Sequence, residues 1–251
     1  MATIAVGDIH GNLPALTDIL DQIRTAAGSG DTVVFLGDYI DRGPDAKGCI
    51  DALLRLKIDS EAEVVFLMGN HEDWLLKTML DHRRHSWLLG MDGFDTIASY
   101  SADAAQLLRD AARTAGPELL DNCALPYEAF FNRVPPDHIR FFETLRLFHR
   151  TADCLCSHGG LDPLVDDLKK QTRQGWLWGH DEFPDRYQGA ETLVYGHWNN
   201  ALVADNGWPA PIVVGNSIGI DTIAHGVLTA IRLPERTLFQ TARFPIADPE
   251  R

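Results

Sequence analysis

The chain has 251 residues, 45% hydrophobic and 23% charged, which is ordinary globular usage and excludes a disordered chain, a collagen and a disulfide-built miniprotein. Its 22 Lys and Arg against 36 Asp and Glu give a formal net charge of −14. Such a surface repels a nucleic-acid backbone, so no nucleic-acid partner is expected, whereas an acidic site can collect metal cations. There is no basic leader followed by a long apolar run and no stretch long enough to span a bilayer, so no membrane partner and a cytoplasmic location are expected. Cys49, Cys123, Cys154 and Cys156 are expected to be reduced thiols, with Cys154 and Cys156 on one face of a strand as small core residues.

In chain order, TIAVGDIHG, TVVFLGDYIDRG, AEVVFLMGNHE, CLCSHGG and TLVYGHWNN each read as a short buried strand that stops in a polar turn. Leu13, Leu16, Ile19, Leu20 and Ile23 recur at helical spacing after the first run, and Ile50, Leu53, Leu54 and Leu56 do so after the second. The alternation predicts α/β layering, with the polar turns gathered at the edge of a sheet where ligands of such folds bind. Residues 80–150 break the pattern and predict a helical insertion, with helices over Ala102–Ala115 and near Asp137–Arg146. From Ile212 to Phe239 the segments IVVGNSIGID, VLTAIRL and RTLFQTARF predict a hairpin-rich β end. Two sheets with flanking helices in one domain over residues 1–251 is the expected arrangement.

The chemistry sits at the strand ends. Asp8, His10, Asp38, Asp41, Asn70, His71, His158 and His197 come from five of them, and all offer oxygen or nitrogen donors suited to Mn, Fe or Zn. One ion would be saturated by fewer ligands, so the surplus predicts two ions roughly 3.5–4 Å apart, bridged by a carboxylate. Glycines beside these donors permit sharp turns and close backbone approach. Arg42 supplies a planar donor fork matched to phosphate oxygens. The segments between the first three motifs, residues 12–36 and 44–68, each accommodate one helix and the next strand. HRRH at 82–85 is expected on a solvated helix face, and Trp176 and Trp178 are expected as core or rim packing. Glu72 is read as a structural residue early in a helix.

GDIHG (7–11), GDYIDRG (37–43), GNHE (69–72), HGG (158–160) and GH (196–197) resemble the signature blocks of the phosphoprotein phosphatases, within the calcineurin-like metallophosphoesterases. DGFDTIASY and IGIDTIAHGVLTAIRLPE resemble two further stretches of that family, and the length is similar to its compact bacterial and phage branch. The resemblance implies an α/β metallophosphoesterase fold, a two-sheet β-sandwich flanked by helices. It implies two divalent ions, Mn foremost, one held by Asp8, His10, Asp38 and His197 and the other by Asp38, Asn70 and His158. A metal-bridging hydroxide would attack phosphorus directly. Arg42, with Asn70 and His71, would hold the phosphate, and His71, oriented by Asp41, would protonate the leaving oxygen. The sequence departs from the family where WLWGHDEF puts His180 in the place of a phosphate-binding Arg, leaving His180, Arg173 or Arg186 as the second contact, and where Ile223 replaces a Gly. The implied substrate is a phosphoprotein carrying phosphoserine or phosphothreonine. The alternatives are a small phosphorylated molecule, in particular a dinucleoside polyphosphate, and a catalytically silent metal-binding scaffold.

Overall fold

The computed structural model describes residues 1–121, 123–199 and 203–245; Asn200, the last residue of the TLVYGHWNN run, and residues 246–251 of the expected domain lie outside them. The elements in order are β1 (Thr3–Val6), α1 (Leu13–Ala26), β2 (Thr32–Phe35), α2 (Ala46–Asp59), β3 (Glu63–Phe66) and α3 (Asn70–Leu80). The insertion follows as α4 (Ser86–Gly90), α5 (Gly93–Tyr100), α6 (Ala102–Ala115), α7 (Glu128–Phe131) and α8 (Pro136–Glu143). The second half comprises β4 (Phe148–Arg150), β5 (Cys154–Ser157), α9 (Arg173–Trp178), β6 (Thr192–Tyr195), β7 (Ile212–Val214), β8 (Ser217–Gly219), β9 (Thr229–Leu233) and β10 (Thr237–Gln240).

The strands form two five-stranded mixed sheets, β10-β9-β1-β2-β3 and β4-β5-β6-β8-β7. β1, β2 and β3 are parallel, with Val6 opposite Phe35 and Phe35 opposite Phe66. β5, β6 and β8 are likewise parallel, with Cys156 opposite Val194 and Val194 opposite Ile218. Alternation along the strands sorts the core into layers. Ala5, Val34, Val65 and Ile231 of the first sheet meet Cys154, Cys156, Val194 and Ile218 of the second. Ile4, Val6, Val33, Phe35 and Val64 turn the other way, onto Leu16, Ile19 and Ile23 of α1 and Ile50 and Leu53 of α2. Leu155, Leu193 and Tyr195 cover the outer face of the second sheet with Trp176 and Phe183. The cysteines among the described residues are free, and the Cys154 and Cys156 sulfurs lie 3.6 Å apart on one strand face.

Several expectations change in detail. The β end is shared, since β7 and β8 join the second sheet while β9 and β10 complete the first. The insertion ends in β4, an edge strand antiparallel to β5. HRRH is a turn between α3 and α4, not a helix face. His85 in it is buried between the Tyr127 hydroxyl and the Cys123 carbonyl oxygen, where both ring nitrogens find partners. Among the described residues no helix is long and apolar enough to cross a membrane.

Helix starts fix where the polar turns go. Asn12 accepts from the Ala15 N–H at the start of α1, and Asp45 accepts from the Gly48 N–H at the start of α2. The loops after β1 and β2 are stitched together, with the His10 N–H donating to Asp38 O (2.8 Å) and the Gly11 N–H donating to Tyr39 O (2.9 Å). They cross so closely that a Cβ on Gly43 would stand 2.1 Å from His10 O. Gly43→Ala is therefore expected to lower the unfolding free energy by about 1–3 kcal/mol in urea titration. Gly28→Ala, whose Cβ would meet no atom within 4 Å, is expected to stay within about 0.5 kcal/mol.

Candidate metal centre

The parallel strands of both sheets end on the same side, and the loops beyond them converge. Asp38 is at the centre and fully buried. Its Oδ2 lies 3.6 Å from His10 Nε2, 3.8 Å from His71 Nε2 and 3.4 Å from His158 Nε2, while its Oδ1 accepts the His71 N–H. His10 Nδ1 donates to Ile40 O and His158 Nδ1 donates to Leu36 O, each at 3.0 Å. Both rings therefore direct Nε2 inward, the arrangement in which a backbone carbonyl orients a metal-binding imidazole. Asn70 Oδ1 lies 2.8 Å from His158 Nε2 and 3.0 Å from His197 Nδ1. The His197 N–H donates to the Asp8 carboxylate.

Two sets of donor atoms emerge, His10 with Asp38 and His71, and Asp38 with His158 and His197, each within 4.8 Å. Asp38 belongs to both. The His197 ring faces Asn70 and lies with His158, while its backbone N–H reaches Asp8.

The electrostatics fit divalent cations. Burial, then Asp221 and Asp38 close by, push the Asp8 carboxyl well above its usual range. Burial opposes charge on Asp38 too, but His158 and His71 hold its carboxylate well down. Burial, with His158 beside it, lowers His197 to about 3, and burial with His71 lowers His10 well below its usual value. Burial thus favours the neutral imidazole, the form that binds metal, in both, whereas Asp38 raises His158 against its burial. Asp221, buried in IGIDT, offers Oδ2 to the Asn199 N–H and leaves Oδ1 with no hydrogen-bond partner among the described residues. An orphaned carboxylate oxygen beside two further buried carboxylates, and a His158 Nε2 facing two oxygens, are satisfied by cations placed between them.

His71 Nδ1 donates to Asp41 Oδ2 at 2.7 Å. Burial works against its imidazolium, but Asp38 and then Asp41 raise it to about 9. Arg42 makes no hydrogen bond or ion pair among the described residues, although it lies near enough to favour the Asp8 carboxylate and disfavour charge on His10 and His71. Its guanidinium is available to a ligand. His10, Asp38, Asp41, Arg42 and His197 all have φ between 46° and 68°, a left-handed conformation uncommon for such residues and found where function holds a backbone in place.

His180 is not brought to this cluster by any contact among the described residues; its Nδ1 accepts the Glu182 N–H in its own loop. The other two guanidinium candidates are committed elsewhere, Arg173 to Asp73 at 2.6 Å and Arg186 to Glu182. Glu72, read from sequence as merely structural, organises the site. Its carboxylate accepts the N–H groups of Asp38, Tyr39, Ile40 and Gly69. The signal was its third position in a helix without a side-chain N-cap, from which a Glu reaches back to free N–H groups.

The family model described as calcineurin-like phosphoesterase matches residues 1–226. Over 96% of its length the chain is 28% identical to the symmetrical bis(5'-nucleosyl)-tetraphosphatase of Nitrosospira multiformis, covering 96% of that protein. Over 41% of its length it is 38% identical to serine/threonine-protein phosphatase 1 of Salmonella typhimurium, covering 45% of that protein. A solved structure of a putative diadenosine tetraphosphatase superposes with a TM-score of 0.61 at 20% identity, covering 96% of this chain and 92% of the other. The chain belongs to the calcineurin-like phosphoesterases, a family of metal-dependent hydrolases.

Glu72→Gln turns an amide donor toward backbone donors, and a loss of about 1–3 kcal/mol is expected in thermal or urea unfolding. Arg42→Ala, which removes no partnered group, is expected to change stability by less than about 0.5 kcal/mol in the same measurement.

Proposed function

We propose that this phosphoesterase hydrolyses its substrate at a dinuclear centre, Asp8, His10 and Asp38 holding one ion and Asp38, Asn70, His158 and His197 the other. The observation that carries the reading is the position of Asp38 Oδ2 between His10 from the first sheet and His158 from the second. Manganese suits a set of carboxylate, amide and imidazole donors without thiolate. When bound, such ions acidify a water for attack and offset charge on the phosphoryl oxygens.

The chain's own residues supply the rest. Arg42, unpartnered at the edge of the site, grips the phosphoryl oxygens and stabilises charge that develops on them. His71 is fixed through Nδ1 on Asp41, so its Nε2–H faces the pocket and is the proton donor to the leaving oxygen. With Asp38 committed to cations, Asp41 is the carboxylate that keeps this ring charged.

For the substrate class we favour a dinucleoside polyphosphate. The nearly full-length likeness to a tetraphosphatase supports it, and so does an aromatic rim. The Trp178 and Trp198 rings stand 5.4 and 5.5 Å from the His197 ring, and Trp198 is 40% exposed with its Nε1–H fixed on Gly159 O. Trp176, by contrast, is core, stacked on Phe148. Exposed indoles are stacking surfaces for nucleobases. The second reading, a protein phosphoserine or phosphothreonine, is favoured by the partial match to the Salmonella phosphatase.

With Mn²⁺ supplied, diadenosine tetraphosphate is expected to give a higher kcat/KM than a phosphothreonine peptide, and the reverse order would favour the second reading. Trp198→Ala is expected to raise KM for the dinucleotide about 5- to 150-fold, the worth of one base stack, while leaving KM for p-nitrophenyl phosphate near its original value. Elemental analysis is expected to find two ions per chain, and Asp38→Asn is expected to lose both metal and hydrolysis.

A further inference from the structure

We infer that Trp87 and Thr96 are positioning residues that aim the Asp41 carboxylate at His71, and that the helical insertion therefore serves proton delivery. The inference rests on the reading of His71 as the proton donor.

Asp41 is fully buried, and each of its carboxylate oxygens is held. Oδ2 accepts His71 Nδ1 at 2.7 Å and Trp87 Nε1 at 2.9 Å. Oδ1 accepts the Thr96 hydroxyl at 2.6 Å and lies 3.1 Å from the same indole nitrogen. The Asp41 N–H in turn donates to Thr96 Oγ1 at 2.8 Å. A hydroxyl has one proton, so accepting from the Asp41 backbone leaves that proton for Oδ1. One threonine thus clamps both ends of a residue whose φ is 68°.

Both clamps come from the insertion, Trp87 from α4 and Thr96 from α5, and both are fully buried. They fit together because residue 93 is glycine; a Cβ there would lie 2.9 Å from the Trp87 ring. The stretch DGFDTIASY thereby has a job. Its glycine lets α5 sit on the indole, and its threonine reaches Asp41. Three charge-assisted hydrogen bonds fix the carboxylate against the torsional freedom that would let Oδ2 leave His71. The Tyr100 hydroxyl, at the end of α5, contacts buried His138, whose Nε2 bonds Asp51 of α2, so the helix is tied down at its far end too.

A positioning role has a signature that a packing role lacks. Protonation of the leaving group matters for esters of weakly acidic alcohols and little for esters of strongly acidic ones. Wild type, Thr96→Val, Trp87→Phe and Thr96→Ser are compared on phenyl phosphate and on 2,4-dinitrophenyl phosphate with Mn²⁺, alongside metal content and melting temperature. Thr96→Val and Trp87→Phe are expected to lower kcat on phenyl phosphate by about 10- to 100-fold, the scale of a misplaced catalytic group. On the dinitrophenyl ester the fall is expected to be under about threefold. KM and two ions per chain should be retained, and Thr96→Ser should restore phenyl phosphate turnover. Equal falls on both esters, no fall on either, or loss of metal would overturn the inference. A His71→Asn control separates this failure from that of the underlying reading: a fall confined to phenyl phosphate keeps His71 as the proton donor whatever Thr96 and Trp87 do, and an equal fall on both esters removes that role from His71.

Discussion

The Glu72 carboxylate is the interaction on which the site is built. It accepts N–H groups from three successive residues, Asp38, Tyr39 and Ile40, and from Gly69. In doing so it ties the loop after β2 to the first turn of α3. A peptide segment with its N–H groups turned inward must satisfy them or lose stability, and here one buried carboxyl group does so. The consequence is that Asp38 is presented with φ 51° toward the pocket, and that Asn70 and His71 start their helix beside it.

Around that knot, the two sheets contribute unlike parts. The loops of the first provide Asp8, His10, Asp38, Asp41, Arg42 and the Asn70–His71 turn, while those of the second provide His158, His197 and Asp221. The site is completed by their packing, since the interlayer core of Val34, Val65, Cys156 and Val194 sets how far His158 stands from Asp38. Asp8, Asp38 and Asp221 are buried near one another and repel, a strain that positive ions relieve. The fold therefore carries an unfavourable electrostatic arrangement of its own that favours metal uptake, which is the linkage between binding and stability seen from the protein's side.

Most of the layering was legible because parallel strands buried on both faces read as apolar runs, and α1 and α2 carry clean helical periodicity. The residues that the loops gather were legible because each stands at a strand end beside a glycine turn. What escaped has a common cause, that its meaning lies in residues far away in sequence. β4 is three residues with no fully buried position, so it has no pattern to read. The two final hairpins look alike and join different sheets, a choice made by partners near residues 3–6 and 192–195. The direction of the His197 ring could not be read from its motif, because it depends on Asn70. Arg173, a candidate second phosphate contact in the sequence, is held by Asp73 of α3. Trp87 and Thr96 were invisible as site residues, since each reaches His71 only through Asp41, and Glu72 showed only a helix-start signal.

The place of β1 in its sheet bears on how the chain acquires its structure during synthesis. β1 lies between β2 and β9, so one flank is closed by a neighbour made almost at once and the other by a neighbour made more than two hundred residues later. A nascent chain that has not yet released residues 229–233 from the ribosome presents β1 as an open edge, able to pair with foreign strands. The centre's first two donors, Asp8 and His10, extend from that same strand. Maturation of the pocket is thus coupled to the emergence of the final hairpin.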